Sequence, residues 1–192
     1  YILALRIGSE GAAAARHLRI SAELLRAATE AAVWSESFQA DSTDDYFRVQ
    51  SEIAQGAAHQ MGATVAATEQ TRLAARPTTN AAAYDLFLRA QILARGNKVS
   101  DFRDAAELLQ RAVDLDPKFA EAWALLSHAH TAQYWFFGDR SEHRLALARA
   151  AGDRAEALAP DAPAIHFARG VYFYHAQLDF SNALREFRAA LE

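Results

Sequence analysis

A chain of 192 residues with 20 Lys+Arg, 24 Asp+Glu, no cysteine and 52% apolar residues fits one large domain or two small ones, and either could bury a working core. Its net charge of −4 runs against nucleic-acid binding, which usually brings a basic excess, and the missing thiols exclude a disulfide scaffold, a Cys-ligated zinc and a thiol nucleophile. Charged residues at 23% exclude wholesale disorder, and no apolar run approaches the ~18 residues of a membrane span. About a quarter of the chain is Ala, the best helix former, so a mostly helical protein is the first expectation.

The first forty residues nevertheless read as strands. In Leu18-Arg19-Ile20-Ser21-Ala22-Glu23-Leu24, apolar and polar residues alternate without a break, the pattern of a strand with one buried face. Ala32 to Phe38 repeats it, with Trp34 and Phe38 on one side, and the apolar opening Tyr1 to Ile7 supplies a third. Short connections at 8–16 and 27–31 make an antiparallel meander the natural arrangement. After Asp41 the period changes. Asp41, Ser42, Thr43, Asp44 and Asp45 offer N-cap candidates, and Tyr46, Val49, Ile53, Ala57 and Met61 then recur at spacings of three and four along one helix face. Pro77 disfavours helix at Arg76, and Thr79 or Asn80 can cap the next helix. The expected domains are 1–78 and 79–192.

From Ala81 onward the pattern is helical and repeats. Ala105, Leu109, Ala112 and Pro117 are spaced four, three and five; Ala148, Gly152, Ala155 and Pro160 return that spacing, and Ala183, Phe187 and Ala190 begin it again. Trp123 stands six residues after Pro117 and His166 six after Pro160. Each unit reads as two helices, with small residues where they cross closely and a proline ending the second. These residues resemble the tetratricopeptide repeat. The second unit carries a longer insert, roughly 132–142, containing the aromatic run Tyr134-Trp135-Phe136-Phe137. Packing of that run by a lengthened helix is the first expectation, an exposed partner-binding knob the alternative.

The N-terminal half has its own resemblance. Tyr1-Ile2-Leu3, Leu18 to Leu24, Val33 to Phe38 and Val49 to Ala54 are similar to the TolB-like N-terminal module, with Glu30 standing where that family commonly has a turn Gly. The junction from Arg76 to Arg89 resembles the one between that module and its repeats. The joint resemblance implies an α+β module, a small antiparallel sheet with a helix, followed by an all-α solenoid of about three helix pairs. It also implies a bacterial protein, cytoplasmic unless a membrane segment precedes it, in a family where an adenylate-cyclase-type or DNA-binding domain can lie upstream. The resemblance begins partway through the module, which leaves a strand edge open. That edge raises two expectations: a longer parent protein, or a homodimer formed through the N-terminal sheet.

Signatures of chemistry are missing. No GxxxxGK[ST], GxGxxG, GxSxG or HExxH string occurs. His128 and His130 point about 200° apart on a helix and cannot share a metal, and His17, His59, His143, His166 and His175 are scattered. Asp44-Asp45 reads as a helix start, and Asp114 and Asp116 precede a helix-closing proline. Arg144, Arg149 and Arg154 are interleaved with acids as a solvated mixed face. No nucleophile, base and orienter can be assembled. The expectation is a non-catalytic interaction module without cofactor or metal, taking a protein or peptide in the concave groove of its first helices, with no nucleic acid and no membrane insertion. The alternative is a regulatory segment of a larger bacterial signalling protein, a nucleotide cyclase or a transcriptional regulator. Tyr84, Gln91 and Arg95, then His128, Thr131 and Trp135, then Tyr174 and His175 are the expected groove residues.

Overall fold

The computed structural model describes residues 1–10, 17–41, 43–63, 77–96, 98–136 and 138–191. The chain divides into two units, Tyr1–Thr79 and Asn80–Glu192. In the first, β1 (Ile2–Glu10), β2 (His17–Arg26) and β3 (Ala31–Ala40) form an antiparallel sheet in the order β1-β2-β3. The alternation in β2 does what its period dictates: Ile20, Ala22 and Leu24 are buried, while Ser21 bonds Ser37 of β3 across the other face at 3.2 Å. The β2–β3 turn closes through Glu30, whose backbone is left-handed at φ = 54° and whose N–H donates to the Arg26 carbonyl at 2.8 Å.

Helix α1 (Thr43–Gln60) packs on β3. At its start the Asp41 N–H donates to the Asp45 carboxylate; Ser42 and the Tyr46 side chain lie outside the described residues. Val49, Ile53 and Ala57 are buried, and the first two pack with Ile20, Ala22, Phe38, Ala40 and Trp34. Met61, expected on the same face, is exposed because the helix stops at Gln60 and Gly62 turns left-handed at φ = 72°. Gly56 has a packing reason: a Cβ there would meet the Trp34 ring at 2.7 Å.

The second unit contains α2 (Ala81–Leu93), α3 (Val99–Leu115), α4 (Ala120–Phe136), α5 (Glu142–Leu158), α6 (Pro163–Tyr172) and α7 (Phe180–Ala189). Consecutive helices pack on one another from α2 to α7, and α4 also packs on α6. Asn80 caps α2 by accepting the Ala83 N–H at 3.1 Å, and Ser141 caps α5 by accepting that of Arg144 at 3.1 Å. Ala105, Ala112, Ala148, Ala155 and Ala183 are buried, and Ala190 is half-buried. The small residues sit where helices approach closely: a Cβ at Gly152 would meet the Ser127 hydroxyl at 3.1 Å, and one at Gly170 would meet the Phe187 ring at 2.5 Å. At the first proline–aromatic spacing the Trp123 indole N–H donates to the Pro117 carbonyl at 3.1 Å, while His166 at the second turns to Glu186. The stretch read as an insert begins as helix: α4 runs unbroken to Phe136, and Gly138, left-handed at φ = 79°, comes after its end.

Candidate functional site

Helix α4 is the most enclosed element of its unit because α3, α5 and α6 all lean on it. Ten of its residues are buried, polar ones among them, and each polar group finds a partner. The Ser127 hydroxyl donates to the Ala148 carbonyl (2.7 Å), Thr131 to the Ser127 carbonyl (2.9 Å), and the Gln133 amide to the Phe102 carbonyl (3.2 Å). Thr131 was expected in the groove; it is fully buried and its hydroxyl is committed within the helix, so it cannot meet a partner. His130 faces Arg144, whose guanidinium lies 3.0 Å from Nδ1. Arginine can only donate, so Nδ1 accepts and the ring proton sits on Nε2. Burial first, then the Arg144 and His143 charges, pushes His130 down to about 4.

His128 projects elsewhere. It stands edge-on to Phe102 of α3 (6.1 Å) and to Phe167 of α6 (5.7 Å). Two turns further along α4, Trp135 lies 5.2 Å from the His175 ring, Phe136 meets His175 edge-on at 5.0 Å, and the Arg140 guanidinium covers Trp135 at 5.1 Å. Tyr174 joins His175 at 4.8 Å and Phe180 at 5.4 Å. His175 and Tyr174 are carried on a π-helical turn, Phe173–Gln177, which Leu178 ends in a left-handed conformation at φ = 55°. The wider turn re-aims its side chains relative to a continuing α-helix, a device common at functional sites. Asp179 then caps α7 by accepting the Asn182 N–H at 3.0 Å.

The result is a surface of linked rings on α4, the π turn and the start of α7. In it Phe136 is 60% exposed and Tyr174 and Phe180 are also exposed, while Trp135 and His175 are half-buried; in the separate pair, His128 is half-buried and Phe167 exposed. Burial, and then the charge of His175, lowers His128; burial lowers His175, whose Nδ1 has no hydrogen-bond partner among the described residues. Both rings are therefore neutral at pH 7 and serve stacking and hydrogen bonding rather than charge.

The structure thus brings Trp135, Tyr174 and His175 into contact, three of the eight expected site residues, and sets His128 between Phe102 and Phe167. Tyr84 stacks instead on Phe87 at 6.3 Å, Gln91 lies half-buried on α2, and Arg95 is exposed in the turn after α2. Among the described residues no ring contact or ion pair joins the Arg95 side chain to the His128 or His175 ring. Phe137 lies outside the described residues. Sequence reasoning missed Phe167, Phe180 and Arg140; only the aromatic run pointed at Phe136, and nothing local marks the others.

Two further polar features lie nearby. Glu186 is nearly buried, with His166 Nδ1 at 2.8 Å, an Arg169 Nη at 3.4 Å and an Arg185 Nη at 3.3 Å. Burial alone would raise its carboxyl; the His166 bond and the guanidiniums outweigh that and hold it below its ordinary value. Arg169 also pairs with Glu156, so α5, α6 and α7 are tied by one charged network. A cavity of about 180 Å³ beside it is lined by Ser127, Arg149, Asp153, Glu156, Arg169 and Tyr172. Its Ser127 hydroxyl is engaged, the Arg169 Nη groups pair with Glu156 and Glu186 while its buried Nε has no hydrogen-bond partner among the described residues, and Arg149 pairs with Asp153 at 3.7 Å. Among the described residues no three His, Asp or Glu side chains are grouped to hold a metal ion, and no helix is long and apolar enough to cross a membrane.

No family model matches the chain. It is 30% identical over 115 residues to a protein of Rhizobium meliloti (strain 1021) named "Putative adenylate cyclase 3". The matched stretch covers 59% of this chain and 19% of that protein, so the chain spans about a fifth of its relative's length.

Proposed function

We propose that this chain is a non-catalytic interaction segment of a larger bacterial signalling protein, binding a protein or peptide through the ring surface of its helical unit. In this reading the helical unit is a tetratricopeptide-like solenoid and the sheet unit belongs with the TolB-like modules. The observation that carries it is the placement of Phe136, Tyr174 and Phe180 in the open around half-buried Trp135 and His175. A water-facing surface rarely groups exposed aromatics without a use, and aromatics above a desolvated floor are what interface hot spots are made of. The stretch shared with a cyclase-named protein supports a signalling context, and a reading frame for an output domain upstream in the gene is the expected corollary.

Selection from a random peptide library on the full chain tests the binding claim. Enriched peptides are expected to compete for one site and to lose at least ~10-fold in affinity against Trp135→Ala, in keeping with an aromatic anchor. Peptides indifferent to Trp135→Ala and Phe136→Ala, or no enrichment at all, would count against it.

A further inference from the structure

Arg140 is the cation of the ring surface, and its neighbours in the chain hold it there. Asp139 before it accepts from the Ser141 hydroxyl at 2.7 Å and from Arg144 Nε at 2.8 Å, and Ser141 after it caps α5. Arg140 itself is exposed, with its guanidinium over the Trp135 ring, and makes no ion pair or hydrogen bond among the described residues. Arg144 and Arg149 of α5 are paired with Asp139 and Asp153. The acids flanking the rings in sequence are committed as well, Asp139 as above and Asp179 to the backbone and side-chain amides of Asn182. Burial alone lowers His175, so no carboxylate stands close enough to favour its protonated form. Among the described residues the uncommitted charge against these rings is therefore positive.

We infer that the ring surface selects an acidic–apolar segment of its partner protein: an aromatic or large aliphatic side chain seats against Trp135, Phe136 and Tyr174 while an Asp or Glu beside it pairs with Arg140. This rests on the reading that the ring surface binds a peptide, and it adds the chemistry of that peptide. A guanidinium stacked on a ring face keeps its N–H donors for a carboxylate, which it can hold by two parallel bonds. With the guanidinium 5.1 Å from the Trp135 centroid, carboxylate and anchor belong to residues one or two apart in an extended segment, at about 3.3 Å per residue. A basic segment would find no free carboxylate at these rings and would place like charge beside Arg140. The chain's net charge of −4 does not reverse this preference. Exposed charges farther off than about 8 Å are screened at physiological salt, whereas Arg140 lies at the site itself.

Peptides enriched from a random library on the full chain are expected to carry Asp or Glu within two positions of an apolar anchor. Resynthesised with acetylated and amidated ends, so that side chains supply the carboxylates, they are expected to lose about 3–10-fold in affinity when that acid becomes Asn or Gln. Against Arg140→Gln the same acid is expected to matter by less than ~2-fold, and Arg140→Lys to restore part of the preference. Arg140 is exposed, so thermal unfolding of both variants is expected to match the wild type. Wild-type affinity should also weaken between about 50 and about 300 mM salt, and that of Arg140→Gln should not. Peptides that need Trp135 but show no acid preference, bind Arg140→Gln as tightly as the wild type, or lose binding once the C-terminus is amidated would overturn the inference and leave the ring-surface reading standing. Peptides indifferent to Trp135→Ala, or no enrichment, would overturn both.

Discussion

Glu30 closes the β2–β3 turn with a left-handed backbone that Gly adopts without strain and other L-residues do not. Glu30→Gly is therefore expected to stabilise the sheet unit by about 0.5–1 kcal/mol, relief of strain outweighing the added freedom of the unfolded chain. Urea unfolding with an unchanged or lower midpoint would show that the turn is not strained. His130 gives a pH prediction. Its folded value of about 4 lies below the ordinary 6.5, so the unfolded chain binds more protons between those limits. The stability contributed by the buried neutral ring is complete above pH 6.5 and falls away as pH drops toward 4, by about 2–3 kcal/mol. His130→Gln keeps an acceptor for Arg144 and removes the titration. Its midpoint is expected to fall less than that of the wild type between pH 7 and about pH 4.5, and parallel profiles would contradict the assignment.

Helix crossings set the expectations for elements. Gly170→Ala would drive a Cβ into the Phe187 ring, and Ala155→Leu would overfill a site that is nearly inaccessible; each is expected to cost about 1–3 kcal/mol in thermal unfolding. A midpoint unchanged in both would mean that these are not tight crossings. The elements differ in how plainly their residues announce them. β2 alternates because one face meets α1 and the other meets water, and that contrast is written at period two from Leu18 to Leu24. α4 has no such contrast. Three helices surround it, its polar residues are buried with partners of their own, and Thr131 could therefore be mistaken for a groove residue. Its length was half legible: the aromatic run contains no breaker, and Gly138 is the first residue past it able to turn left-handed at no cost. The π turn carries no local signal. It depends on Leu178 accepting a left-handed backbone, and so the approach of His175 to Trp135, forty residues away in sequence, could be seen only in three dimensions.

At the scale of the whole molecule, two units arise from two hydrophobic periods. Among the described residues, the sheet unit exposes Leu3, Leu5 and Ile7 of β1; the helical unit encloses α4 and presents aromatics where α4, the π turn and α7 meet. The stretch shared with a cyclase-named protein of Rhizobium meliloti is about a fifth of that protein's length. The proposed binding face is the feature most directly open to measurement. A peptide enriched on the full chain can be titrated into isotopically labelled protein while amide shifts are tracked residue by residue. Perturbations are expected at Trp135, Phe136, Phe173–Gln177 and Phe180, with His128 moving and β1–β3 unmoved. Shifts concentrated in the sheet unit, or around Tyr84 and Arg95 with the ring surface silent, would contradict the assignment of the binding face.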